Sequence, residues 1–157
     1  MDAVDVKILD QLQHDASLSV SALSERIGVS KTACWRRIKN LEQSGTIRSR
    51  VTLVDPEKIN LGVIAFAHVR TNQHHDDWLK RFTKAIDAMP EVLEFYRLSG
   101  DADYLLKIVA VDIKAYDAVY KRLIKSVDLL DVSSSFVMDT IRYTTELPLD
   151  KGAGTAA

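Results

Sequence analysis

The short stretch Gly28-Val29-Ser30 constrains this chain most, because it forces two helical segments to meet across a very tight turn. Before it, Val20, Leu23 and Ile27 recur at helical spacing, with Ser19 or Ser21 placed to cap the first turn. Gly28 can adopt the left-handed conformation that ends a helix, and Ser30 can cap the next one, predicted over residues 31–44 and stopped by Gly45. An earlier helix is expected from Asp2 to about His14. It carries Val6, Ile8, Leu9 and Leu12, with Asp2 and Asp5 spaced as a capping box. Two helices joined in this way predict a helix-turn-helix. The β-branched residues 46–54 then read as two short strands, a wing.

Beyond a turn-rich connector at residues 55–61, the period alternates between two and 3.6. Strands are expected at 62–71, 92–98 and 104–111, with a long final strand at 132–144. Helices are expected at 76–89, before Pro90, and at 113–126. The order β-α-β-β-α-β predicts a ferredoxin-like sheet, so the chain as a whole is α+β: a winged helix-turn-helix followed by a ferredoxin-like domain. The expected division is 1–54, a linker at 55–61, a second domain at 62–149, and a small, Gly/Ala-rich disordered tail at 150–157. Phe95, Leu105, Ile108, Phe136 and Met138 are candidates for a seam between copies.

Charge is distributed unevenly between these halves. Residues 1–54 carry eight Lys/Arg against six Asp/Glu, whereas the remainder carries thirteen against sixteen. Residues 31–50 hold six basic residues and one acid, Glu42, a concentration that suits phosphate contact. No apolar run approaches ~18 residues, so no membrane span is expected. The acidic start lacks the pattern of a signal peptide, and the single cysteine, Cys34, excludes an intrachain disulfide. A cytoplasmic protein is the expectation.

At about 100° per residue, Cys34, Ile38 and Leu41 share one side of the 31–44 helix, while Thr32, Arg36, Lys39 and Gln43 share the other. A helix with one face in its own core and one cationic face can enter the major groove of duplex DNA. Lys31, Thr32 and Arg36 are then candidates for base edges, following the cap Ser30, and Arg37, Lys39, Arg48 and Arg50 for phosphates. Trp35 falls at the margin, where packing against the first helix or the wing competes with a place on the DNA. Cys34 lies on the core stripe and reads as a small buried residue, not a reactive thiol.

Catalytic and metal-binding signals are thin. His74-His75-Asp76-Asp77 opens a helix, and adjacent histidines point to different faces, which makes a poor metal site. No Gly-rich phosphate loop, nucleophile elbow or zinc spacing is present, so neither enzymatic activity nor a cofactor is expected. Ser99-Gly100-Asp101-Ala102-Asp103 has the chemistry of an ordinary β-turn, although the same residues combine free N–H groups with carboxylates.

The run from Leu18 to Ser30, continuing Lys31-Thr32-Ala33-Cys34-Trp35-Arg36-Arg37-Ile38-Lys39-Asn40-Leu41-Glu42 and closing on Gly45-Thr46-Ile47, closely resembles the Lrp/AsnC (feast/famine) regulators. Asp5-Val6-Lys7-Ile8-Leu9, Met89-Pro90-Glu91-Val92, Ser99 to Leu106, and Ser134 to Met138 before Thr145-Glu146-Leu147-Pro148-Leu149 are similar too. The resemblance spans about residues 2–149. It implies a transcriptional regulator with a RAM-type second domain, binding double-stranded DNA as a homodimer that often assembles to an octamer. It further implies control of amino-acid uptake or metabolism genes by an amino-acid effector held near the Gly-Asp loop. The effector site would comprise Ser99, Gly100, Asp101 and Asp103, with Tyr104 as a wall and Ser134 and Ser135 approaching from a neighbouring subunit. A nucleoid-associated architectural protein of low sequence specificity is the alternative. Trp35 departs from the family, where a smaller apolar residue is frequent, and this bears on any operator sequence borrowed from a relative.

Overall fold

The structure, a computed structural model, describes residues 1–149; the tail expected at 150–157 lies outside them. Two compact units share the chain: residues 1–53 with the described residues from 142 onward, and residues 54–141.

The first unit holds α1 (Ala3–His14), α2 (Val20–Ile27) and α3 (Lys31–Gln43). The capping box forms as its spacing predicts: Asp2 Oδ1 accepts from the amides of Val4 and Asp5 at 2.9 and 3.0 Å, and Asp5 Oδ2 accepts from the Asp2 amide at 3.0 Å. Ser19, not Ser21, caps α2, and Ser30 caps α3, each hydroxyl accepting from an amide three residues on. Gly28 ends α2 at φ +74°, a conformation in which a Cβ would be strained. The three helices bury Ile8, Leu9, Leu23, Cys34, Ile38 and Leu41 together.

The last described residues return to this unit. The Gln13 side chain donates to the Leu147 carbonyl at 3.1 Å and accepts from its amide at 2.7 Å, while Leu149 packs against the helical core. The wing departs from expectation, since residues 46–54 form no strand. Only Ile47 among them is half-buried, its amide closing on the Leu41 carbonyl. The β-branched composition meets no ladder partner, and an isolated two-stranded ribbon is marginal in water.

The second unit opens with a single helical turn at Glu57–Ile59 and continues β1 (Val63–Arg70), α4 (Asp76–Asp87), β2 (Val92–Arg97), β3 (Tyr104–Ala110), α5 (Ile113–Ser126) and β4 (Asp131–Phe136). The sheet order is β2-β3-β1-β4 with every pair antiparallel, the ferredoxin-like arrangement. Ala65, Ala67 and Val69 of β1 join Trp78, Phe82 and Ile86 of α4 and Tyr116, Val119 and Leu123 of α5 in one core. Both helices therefore cover one face of the sheet, and no element of this unit covers the other. Strand alternation leaves Ile64, Phe66, His68, Leu105 and Lys107 on that open face.

Two expectations are corrected here. The final strand stops at Phe136 instead of reaching residue 144, because Val137 bonds to Ile64 and β1 offers only Val63 beyond it. Of the five seam candidates, only Leu105 lies within a strand on the open face. Phe95 and Ile108 belong to the helix-side core, Phe136 rests against the Tyr116 ring on that side, and Met138 lies past the strand, 94% exposed.

Candidate nucleic-acid interface and effector loop

α3 presents two unlike sides. Cys34, Ile38 and Leu41 are buried, whereas Lys31, Thr32, Trp35, Arg36, Lys39, Asn40 and Gln43 are exposed. Burial pushes the Cys34 thiol up, in keeping with its place in the core. Trp35, for which packing against the first helix or the wing competes with a place on the DNA, is 54% exposed and makes no ring contact among the described residues.

The cations on this unit fall into two groups. Among the described residues Lys31, Arg36 and Arg48 form no ion pair and remain available to an incoming anion. Lys39 and Arg50 both reach Glu42, at 2.8 and 3.2 Å, on an exposed surface where such pairs exchange readily for other partners. The Lys39 ammonium, chiefly, holds the Glu42 carboxyl below its usual range. Ser30 has its hydroxyl on the Ala33 amide.

Arg37 differs from all of these. Its Nη1 donates to Asp2 Oδ2 at 2.7 Å and to Asp5 Oδ1 at 2.8 Å, the two oxygens that the capping box leaves over. The Asp5 amide and then the Arg37 guanidinium hold the Asp2 carboxyl below the usual range. Arg37 thus ties α3 to the start of α1 and, unlike Lys31, Arg36 and Arg48, is already engaged by two carboxylates. The signal was in the sequence: Arg37 lies only about 60° from Cys34 around the helix, beside the buried stripe.

In the second unit the β2–β3 connection splits the expected effector residues. Ser99, Gly100 and Asp101 are exposed, and no amide from Ser99 to Ala102 donates to an acceptor among the described residues. Gly100 takes φ +144°, with nothing within 4 Å of where a Cβ would stand. The Asp101 carboxylate has no partner among the described residues. Asp103 is already engaged: its Oδ2 accepts from the buried Thr71 amide at 2.8 Å, its carbonyl from Leu98, and its amide donates to Val69. It pins the loop to the end of β1.

Tyr104, expected as a pocket wall, is 4% exposed and points into the core, its ring against Trp78, Phe82 and Phe95. Ser134 and Ser135 are separated by the strand's period. Ser134 faces the helices with its hydroxyl on that of Tyr116, and Ser135 lies on the open face opposite Phe66. Both serines of one strand therefore cannot address one ligand from the same side.

The histidine cluster has a structural use. His75 caps α4, its Nδ1 accepting from the Trp78 amide at 3.2 Å, a role its sequence did not suggest. Among the described residues no group of His, Cys, Asp or Glu is placed to hold a metal ion. Nor is any helix among them long and apolar enough to cross a membrane.

Known proteins resemble both units. Residues 1–42 match the AsnC-type helix-turn-helix domain and residues 64–147 the Lrp/AsnC ligand binding domain. The glutamate uptake regulatory protein of Zymomonas mobilis is 49% identical over 156 residues, covering 99% of this chain and 95% of that protein. A crystal structure of an AsnC family transcriptional regulator from Agrobacterium tumefaciens superposes with a TM-score of 0.90 at 53% identity, over 94% of this chain and 97% of the other. A Neisseria meningitidis transcriptional regulator in complex with L-Met gives the same TM-score at 38% identity, over 96% and 97%. With a helix-turn-helix in one unit and a ligand-binding fold in the other, matched in order by relatives of nearly equal length, the chain belongs to the Lrp/AsnC family of DNA-binding transcriptional regulators.

Proposed function

We infer that this regulator reads operator DNA with α3 and answers to an amino acid bound at the β2–β3 loop, controlling genes of amino-acid uptake or metabolism. Lys31, Thr32 and Arg36 meet base edges, Arg48 meets a phosphate directly, and Lys39 and Arg50 do so once their surface pairs with Glu42 open. The observation that carries the reading is the group of uncommitted cations on the exposed side of a helix whose other side is buried. For the effector, the unused amides of residues 99–102 suit a carboxylate and the free Asp101 suits an ammonium. The relatives support this: one is a glutamate uptake regulatory protein, and another was solved in complex with L-Met. The working form is a cytoplasmic homodimer joined through the open sheet faces, and higher assembly builds from it.

Footprinting over the chain's own promoter, with and without each of the twenty amino acids, tests the whole. Bounded protection that one amino acid alters, and that also raises the melting point, is the expected result. Uniform, salt-sensitive coverage of any duplex would instead make the protein an architectural one.

A further inference from the structure

Trp35 is the large apolar side chain exposed on α3, in contrast to Trp78, which is 1% exposed in the second unit. Its surface neighbours on the helix, three and four residues away, are Lys31, Thr32 and Lys39, and Arg36 follows it directly. An indole held in water amid cations gains by being covered, yet the flanking charges would repel a second copy of the same face. Phosphates and guanine edges satisfy the cations but offer an indole nothing apolar. The major groove carries one apolar feature, the 5-methyl group of thymine, and the O4 acceptor lies beside it. The indole brings a matching pair: an apolar ring with a single N–H donor.

We propose that Trp35 is a specificity-determining residue whose indole packs on a thymine methyl in the major groove, next to the base contacted by Arg36. This rests on the DNA-reading role given above to α3. Consecutive helical residues rise ~1.5 Å while base pairs step by ~3.4 Å, so the thymine lies within a base pair or two of the one Arg36 reads.

The test selects binding sites from a random duplex pool with the wild-type chain and with Trp35→Ala. The wild-type pool is expected to show a fixed thymine beside a fixed guanine, and the Trp35→Ala pool to lose the thymine while keeping the guanine. Replacing that thymine by deoxyuridine removes only the methyl. It should weaken wild-type binding about fourfold, the worth of one buried methyl-sized group, and leave Trp35→Ala unaffected. The wild-type half of this second measurement needs only the unaltered protein. An unchanged thymine preference in Trp35→Ala, or equal wild-type affinity for the two duplexes, overturns the proposal alone. Failure of the wild-type chain to enrich any sequence overturns it together with the DNA-reading role.

Discussion

Arg37 and Asp103 share a lesson: a charged side chain in the right neighbourhood is not free until its hydrogen bonds are counted. Arg37 holds the two capping acids of α1, so its loss should loosen the seating of α3 without removing a phosphate contact. Arg37→Met should lower the melting temperature by a few degrees and weaken operator binding, with the salt dependence of affinity unchanged. Arg48→Ala should flatten that dependence by about 0.9, the share of one phosphate. Equal slopes for the two variants would return Arg37 to the DNA. Because the Asp2 pKa is depressed in the folded chain, the clamp is intact above the ordinary carboxylate range and fails as pH falls through the depressed value. In the β2–β3 loop, Asp103→Ala strands the buried Thr71 amide and should cost about 1–3 kcal/mol in a denaturant titration. Asp101→Asn should leave stability alone and weaken amino-acid binding in calorimetry. If instead Asp103→Ala is as stable as wild type, the loop is held by other means.

At the scale of elements, the sequence showed most where a period and its punctuation coincide. The α5 bounds agree with the predicted 113–126, and Gly28 with Ser30 placed the turn between α2 and α3 correctly. Strand alternation placed Ala65, Ala67 and Val69 on one face because the other face is mixed in polarity. It gave no such guide in β4, where Val132, Ser133, Ser134 and Ser135 include three serines in a row, so the two faces look alike in sequence. The wing and the end of β4 depart from expectation for one reason: β propensity describes what fits a ladder, not whether a partner strand is there. The returning segment left no local signal at all, since its bonds to Gln13 span 134 residues. It nonetheless makes a firm prediction. Ending the chain after Ile141 removes the paired hydrogen bonds to Gln13 and the packing of Leu149, so the helix-turn-helix should melt earlier, as read by far-ultraviolet circular dichroism. An unshifted transition would mean that the segment merely rests there.

At the scale of the whole molecule, the proposed joining of two copies through the open sheet face would turn a chain with one DNA-reading helix into a reader of paired half-sites. Two copies joined through it need half-sites one helical turn apart or a multiple of that, which binding to duplexes of graded spacing will check. The face is not uniformly apolar. Lys107 and Glu94 pair across β3 and β2 at 2.9 Å, with Leu105 and Phe66 nearby, and Tyr96 donates its hydroxyl to the same glutamate. Covering these groups with a second copy removes water from an ion pair that is acceptable only while complete, because a lone buried charge is costly. The Lys107 ammonium, chiefly, holds the Glu94 carboxyl below its usual range. A depressed carboxylate contributes its stability above the unfolded pKa and loses it as pH falls through the folded one. Light scattering should therefore find the assembly intact near neutrality and dissociating in acid, before the far-ultraviolet signal of the fold is lost. Lys107→Ala strands the glutamate and should dissociate the assembly already at neutral pH. Replacing both residues by apolar ones of similar size, Lys107→Met with Glu94→Leu, should restore it and abolish the acid transition. If Lys107→Ala assembles as well as the wild type at micromolar concentration, the copies meet through another surface.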